Sequence, residues 1–205
     1  MHGWEALSIA LRQVVVLLKD VKASWLVGGS CGLLLQGVPL TAAPQDLDLY
    51  VDSEGAQELH YALSAYSTDQ QLEDRTAIYR SILSHYSVAG TNVELVGGFE
   101  VNTNGCLYNV EVDFLSEQYS QIYKLFLEDS PATNKHVLRL MPLEHELLFN
   151  LLRNRPDRYE AIAAVMRSRS SKISKALEAL LERNMFSEAI IQELNKLLLS
   201  ENRQA

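Results

Sequence analysis

The residues best suited to chemistry lie between Leu26 and Val51, in L-V-G-G-S-C-G-L-L-L-Q-G-V-P-L-T-A-A-P-Q-D-L-D-L-Y-V. Gly28 and Gly29 lead into Ser30. Such a turn lets backbone N–H groups approach phosphate oxygens, and a following helix presents its positive end to them. Downstream, Asp46 and Asp48 alternate with Leu47 and Leu49, so that on a strand both carboxylates share one face. Two carboxylates so placed repel each other unless a cation lies between them, which points to a divalent metal. A phosphate-holding turn beside a metal-holding strand suits phosphoryl or nucleotidyl transfer. The chain has neither a G-x-x-x-x-G-K-[ST] motif nor a protein-kinase signature, which argues against those two routes to the chemistry.

The pattern G-[GS], short helix, D-x-D resembles the nucleotidyltransferase superfamily typified by DNA polymerase beta. Here it is carried by Gly29, Ser30, Asp46 and Asp48. Within that superfamily the chain is similar to the lincosamide and aminoglycoside nucleotidyltransferases and to the minimal nucleotidyltransferases. The later stretch L-M-P-L-E-H-E-L-L-F-N-L-L-R-N-R-P-D-R-Y-E-A-I is similar to their helix pair, which reads E-x-L-L and then R-x-x-D; there Asp157 would orient the pair. The resemblance spans Trp25 to Val165.

This resemblance implies transfer of a nucleoside monophosphate from a nucleoside triphosphate, ATP among the candidates, to an acceptor hydroxyl, with loss of pyrophosphate. Ser30 and the backbone of Gly28 and Gly29 would hold the β- and γ-phosphates, and Asp46 and Asp48 two Mg²⁺ ions. The third carboxylate would be Glu94 in N-V-E-L-V or Asp113 in Y-N-V-E-V-D-F. Glu94 is preferred, because in the lincosamide and aminoglycoside enzymes the third acid sits on the first strand after the helix that follows D-x-D. It would be a metal ligand or the general base.

One departure bears on activity. Those enzymes usually carry an Arg before D-x-D, as in T-R-x-x-x-D, whereas here Thr41 is followed by Ala42, Ala43, Pro44 and Gln45. Either a positive charge comes from elsewhere, or the nucleotide is held weakly, or the copy has lost activity. The alternative function is therefore a catalytically inactive binding module or an antitoxin-like partner protein. Arg153, Arg155 and Arg158 offer the charge, or merely cap a helix end. The acceptor would be a small hydroxylated molecule or a protein side chain.

These residues need elements to position them. Apolar spacing predicts an amphipathic helix over residues 4–19, a strand over 24–27, and a helix over 30–36 with Ser30 as N-cap and Gly37 as its stop. Residues 46–51 read as the metal-bearing strand and 53–66 as a helix. Period-two strands are expected at 79–88, 92–101 and 107–115, separated by A-G-T-N and N-T-N-G turns. A helix over 117–128 and a short strand over 136–141 follow, then a helix opened by Pro142. Arg155-Pro156-Asp157 breaks that helix from one over 159–166, and two amphipathic helices over 173–183 and 187–199 close the chain. The fold class is α/β (α+β): a mixed sheet flanked by helices over residues 1–141, then a helical region over 142–205.

Bulk composition narrows the partners. The 205 residues carry a net charge of −8, which disfavours non-specific nucleic-acid binding. Residues 1–150 hold 8 Lys/Arg against 19 Asp/Glu, and residues 151–205 hold 10 against 7, as would suit an acidic metal site under an arginine-bearing helical cap. Cys31 and Cys106 are the two cysteines; lone thiols without metal spacing suit a reducing, cytoplasmic setting. Glu5 and Arg12 interrupt the apolar N-terminus, and no apolar run is long enough to span a membrane. His60, His85, His136 and His145 lack metal-ligand spacing and read as surface or packing residues. The last two helices would form either an acceptor-binding cap or a homodimer surface, and exposed leucine stripes on them would favour the dimer.

Overall fold

A computed structural model describes residues 2–126, 135–170 and 172–199. The elements run α1 (His2–Leu17), β1 (Trp25–Gly28), α2 (Gly29–Leu35), β2 (Asp46–Val51), α3 (Ala56–Leu63), β3 (Leu72–Arg75), β4 (Tyr79–Val88) and β5 (Thr91–Thr103). They continue with β6 (Cys106–Asn109), α4 (Val112–Gln118), β7 (Gln121–Phe126), β8 (Lys135–Leu140), α5 (Leu143–Leu152), α6 (Pro156–Arg169), α7 (Lys175–Arg183) and α8 (Glu188–Leu199). One mixed sheet runs in the order β3-β4-β5-β2-β1-β8-β7, with β6 on the end of β5. β2 pairs parallel with β5 and antiparallel with β1.

Alternation along the central strands divides the molecule into two cores. Leu47, Leu49, Val93 and Leu95 bury against α1 and α3, through Leu7, Leu11, Leu59 and Leu63. Tyr50, Val96 and Phe99 face the other way, onto α5–α8, where Leu147, Leu151, Ile162, Leu177 and Leu194 close the second core. Asp46, Asp48 and Glu94 share the strand parity of Tyr50 and Val96, so they lie on the α5–α8 side. Among the described residues the last strand ends at Leu140 and helices follow. No helix among the described residues is long and apolar enough to cross a membrane.

Three expectations need correction. Ser30 is not the N-cap of α2: Gly28 takes that position and no side chain caps the helix. The strand expected over 107–115 stops at Asn109 and α4 takes its place, because the Asp52 carboxylate accepts from the N–H groups of Val112 (2.7 Å) and Asp113 (2.8 Å) and anchors a helix start. The helix expected over 117–128 is the last turn of α4 and then strand β7, with residues 127–128 outside the described residues. The leucine stripe of α8 turns inward, with Leu194 buried and Ile190 and Leu197 packed on the core.

α5 is almost wholly buried and brings polar groups with it. His145 hydrogen-bonds the Tyr108 hydroxyl through Nδ1 at 2.7 Å, while its Nε2 has no partner. Burial, and then the Arg153 charge, push its pKa from 6.5 down to about 3. A folded pKa below the unfolded one means that the unfolded chain holds the extra proton, so this residue removes stability as pH falls from about 6.5 toward about 3. Wild type should therefore lose ground against His145→Asn by about 1.4 kcal/mol per pH unit across that window. Denaturant unfolding of both proteins at stepped pH measures it, and a constant difference would refute the neutral, buried imidazole.

Candidate active site

Gly28, the last residue of β1, pairs with Asp48, and Asp48 pairs in turn with Glu94 on β5. In-register neighbours project from the same face, so the glycine turn, Asp48 and Glu94 form one row across three strands, with Asp46 two residues along. Gly29 adopts φ +58, and a β-carbon there would stand 1.8 Å from Asp48 Oδ2. The missing side chain is what lets the carboxylate lie against the turn. The Ser30 hydroxyl makes no hydrogen bond among the described residues.

The acids oppose one another. Burial raises the Asp48 pKa well above its ordinary value, and Asp46, Glu94 and Glu146 raise it further, while Arg153 lowers it. Glu94 is raised mainly by burial and also by Asp46, with His85 working against both. Among the described residues no three His, Cys, Asp or Glu side chains are gathered closely enough to hold a metal ion as they stand. The donor chemistry nonetheless fits a hard divalent cation: half-buried oxygen ligands, with the ionised forms of Asp48 and Glu94 disfavoured by burial and by neighbouring acids.

Asp113 does not enter this row. It is exposed in the first turn of α4, and its backbone N–H is held by Asp52. Its would-be companion Glu111 pairs with Arg183 at 2.6 Å. Of the three arginines, Arg155 chelates Asp157 beside the start of α6. Arg153 lies over the Phe149 ring (4.3 Å) and donates to Asn150 Oδ1, and its charge acts on Asp48. It is therefore a cation contributed to the site from the far end of α5, where the segment before Asp46 has none. The charge of Arg158 reaches Glu146, and its buried Nε lacks a hydrogen-bond partner.

Two participants escaped the sequence reading. Glu146 is buried on α5, and its Oε1 accepts from the Gly29 N–H at 2.7 Å, so a donor expected to face phosphate is engaged by a carboxylate. His85 sits on β4 opposite Glu94, its Nε2 3.8 Å from Glu94 Oε2, while Asp69 holds its Nδ1 at 2.5 Å. The signal for His85 was present in the turn. Ala89 and Gly90 both have positive φ (50 and 75), the two-residue hairpin geometry that pairs Val88 with Thr91 and, three steps out, His85 with Glu94. Nothing local marks Glu146, which acts across 117 residues of chain.

Comparison with known proteins bears on the fold. The model of the aminoglycoside-2''-adenylyltransferase family matches residues 10–95, a stretch that holds the glycine turn, Asp46, Asp48 and Glu94. Among curated proteins none matches the chain. Among solved structures, TM1012 of Thermotoga maritima, provisionally assigned as a nucleotidyltransferase, superposes with a TM-score of 0.57 at 23% identity, covering 77% of this chain and 91% of its own. ANT(2'')-Ia, bound to adenylyl-2''-tobramycin, gives 0.48 at 9% identity, over 92% of this chain and 98% of its own. The lincosamide antibiotic adenylyltransferase LnuA, bound to lincomycin, gives 0.43 at 12% identity, over 76% and 96%. The fold assignment rests on the first of these three: the chain has the nucleotidyltransferase fold, and the resemblance carried by Gly29, Ser30, Asp46 and Asp48 is borne out.

Proposed function

We propose that the protein is a metal-dependent nucleotidyltransferase that moves a nucleoside monophosphate, AMP in the first instance, from a triphosphate to a hydroxyl of a small molecule. The observation that carries this reading is the row Gly28–Asp48–Glu94 with Asp46 beside it. Support for adenylyl transfer to a small acceptor comes from the name of the matching family. The two unpaired thiols support a reducing, cytoplasmic setting.

Asp46 and Asp48 would hold Mg²⁺, with Glu94 as further ligand or base. When bound, the metal supplies positive charge against the negative charge that builds at the α-phosphorus. The remaining work belongs to the chain. Ser30 offers a free hydroxyl to the phosphates, and Arg153 adds a fixed positive charge on the same side. Glu94, its carboxyl raised by burial, is suited to accept the acceptor's proton. His85, oriented by Asp69, stands next to receive it.

Calorimetric titration with each nucleoside triphosphate, with and without Mg²⁺, tests the reading. At least one triphosphate should bind only with metal and should release pyrophosphate when a pool of hydroxylated acceptors is added. Folded protein that binds none would refute it. That result would favour a non-catalytic recognition module, for which the Glu146 carboxylate on the Gly29 N–H is the supporting observation.

A further inference from the structure

A well-formed concavity lies away from the carboxylate row. A cavity of about 420 Å³ opens between the start of α5, the end of α6 and the start of α7, and neither Asp46, Asp48 nor Glu94 lines it. Its volume falls in the range of small-molecule sites. In a chain of net charge −8, its wall carries Arg167, Arg169, Lys172 and Lys175 against one acid, Glu144. The Ser174 hydroxyl donates to that acid at 2.6 Å.

The two arginines differ from a solvated charge run in how they are held. Arg167 donates to the Leu197 carbonyl and Arg169 to the Gln36 carbonyl, so two guanidinium groups are fixed at the wall by backbone while keeping further N–H donors free of that contact. Among the described residues neither Lys172 nor Lys175 has an acidic partner. Between the charges the lining is mixed: Leu143, Met166, Ile173 and Leu198 form an apolar part of the wall and Gln36, Gln118, Ser120 and Gln121 a polar one, with Ile173 41% exposed. Two held guanidinium groups and two lysines beside an apolar part of the wall match a ligand with one anionic head and an apolar body.

We propose that this cavity binds a small organic anion of that kind, a medium-chain carboxylate or alkyl phosphate, at a site separate from the transfer centre. The inference does not rest on the transfer reading. Calorimetry with decanoate and with decyl phosphate probes the two head groups, and decanol and decylamine serve as neutral and cationic counterparts. One of the two anions should bind at a single site, more weakly as salt is raised, with decanol and decylamine at least tenfold weaker. The variant Arg169→Gln/Lys172→Gln/Lys175→Gln should lose roughly tenfold or more in affinity, as three partly screened charges together would. Ile173→Glu, which adds an acid at the opening, should lose binding while its thermal unfolding stays near wild type. The proposal is overturned if wild type binds neither anion, if decanol binds as tightly, or if both variants bind as wild type does.

Discussion

Asp48→Asn is expected to lower turnover at least a thousandfold, about 4 kcal/mol of barrier, while raising the melting temperature of the metal-free protein. The two effects have one origin. Asp48 is desolvated beside Asp46, Glu94 and Glu146, and Arg153 only partly offsets them, so its folded pKa lies well above the unfolded value. For an acid shifted upward, the folded state holds the extra proton. Its contribution to stability is least unfavourable below the unfolded value near 3.8 and is eroded as pH rises from there through the folded pKa. An amide carries no such penalty, and it is also a poorer partner for a hard cation. The stability advantage of the variant should therefore grow with pH and shrink when Mg²⁺ is added, since the metal stabilises only the protein that binds it. Paired thermal melts and pyrophosphate-release assays read both effects. A variant that keeps turnover would remove Asp48 from the chemistry.

Gly29→Ala should be the most damaging single methyl in the molecule. Its φ of +58 costs an L-residue about 1–2 kcal/mol, and its β-carbon would stand 1.8 Å from Asp48 Oδ2, so the carboxylate or the turn must move. Gly37→Ala provides the control, because it shares a positive φ (+79) but meets nothing within 4 Å. The control should lose only the backbone term and keep triphosphate binding. Gly29→Ala should lose several kcal/mol by denaturant unfolding, and its Mg²⁺-dependent binding with it. Equal losses at the two positions would mean that Asp48 does not lie against the turn.

What could be read in the sequence, and what could not, follows from the range of the interactions. The glycine turn, the D-x-D strand, the long hairpin β4–β5 and the amphipathic helices are written in neighbouring residues, and they emerge close to the expected places. The stretch over 107–115 misled because V-E-V-D-F alternates like a strand. A carboxylate some sixty residues earlier, Asp52, instead starts a helix there, which also takes Asp113 out of contention. The segment before Asp46 has no arginine, and the positive charge that acts on Asp48, Arg153, comes from a helix that local pattern could place but not aim. The basic C-terminal part suits either a cap over the acidic site or a slightly basic helical surface. In the structure its charges divide, with the Arg153 charge acting on Asp48 and Arg167, Arg169, Lys172 and Lys175 around a separate cavity.

The Gly29–Glu146 hydrogen bond also has a consequence in time. Its partners are 117 residues apart, and Tyr50 and Val96 depend for burial on α5 and the helices after it. During synthesis at ~5–20 residues per second, the turn and the aspartates leave the ribosome on the order of ten seconds before Glu146 is made. In that interval the nascent chain carries the signature residues without the carboxylate that fixes the turn. The glycine turn is thus among the last features of the protein to mature, although its motif is among the first to be translated.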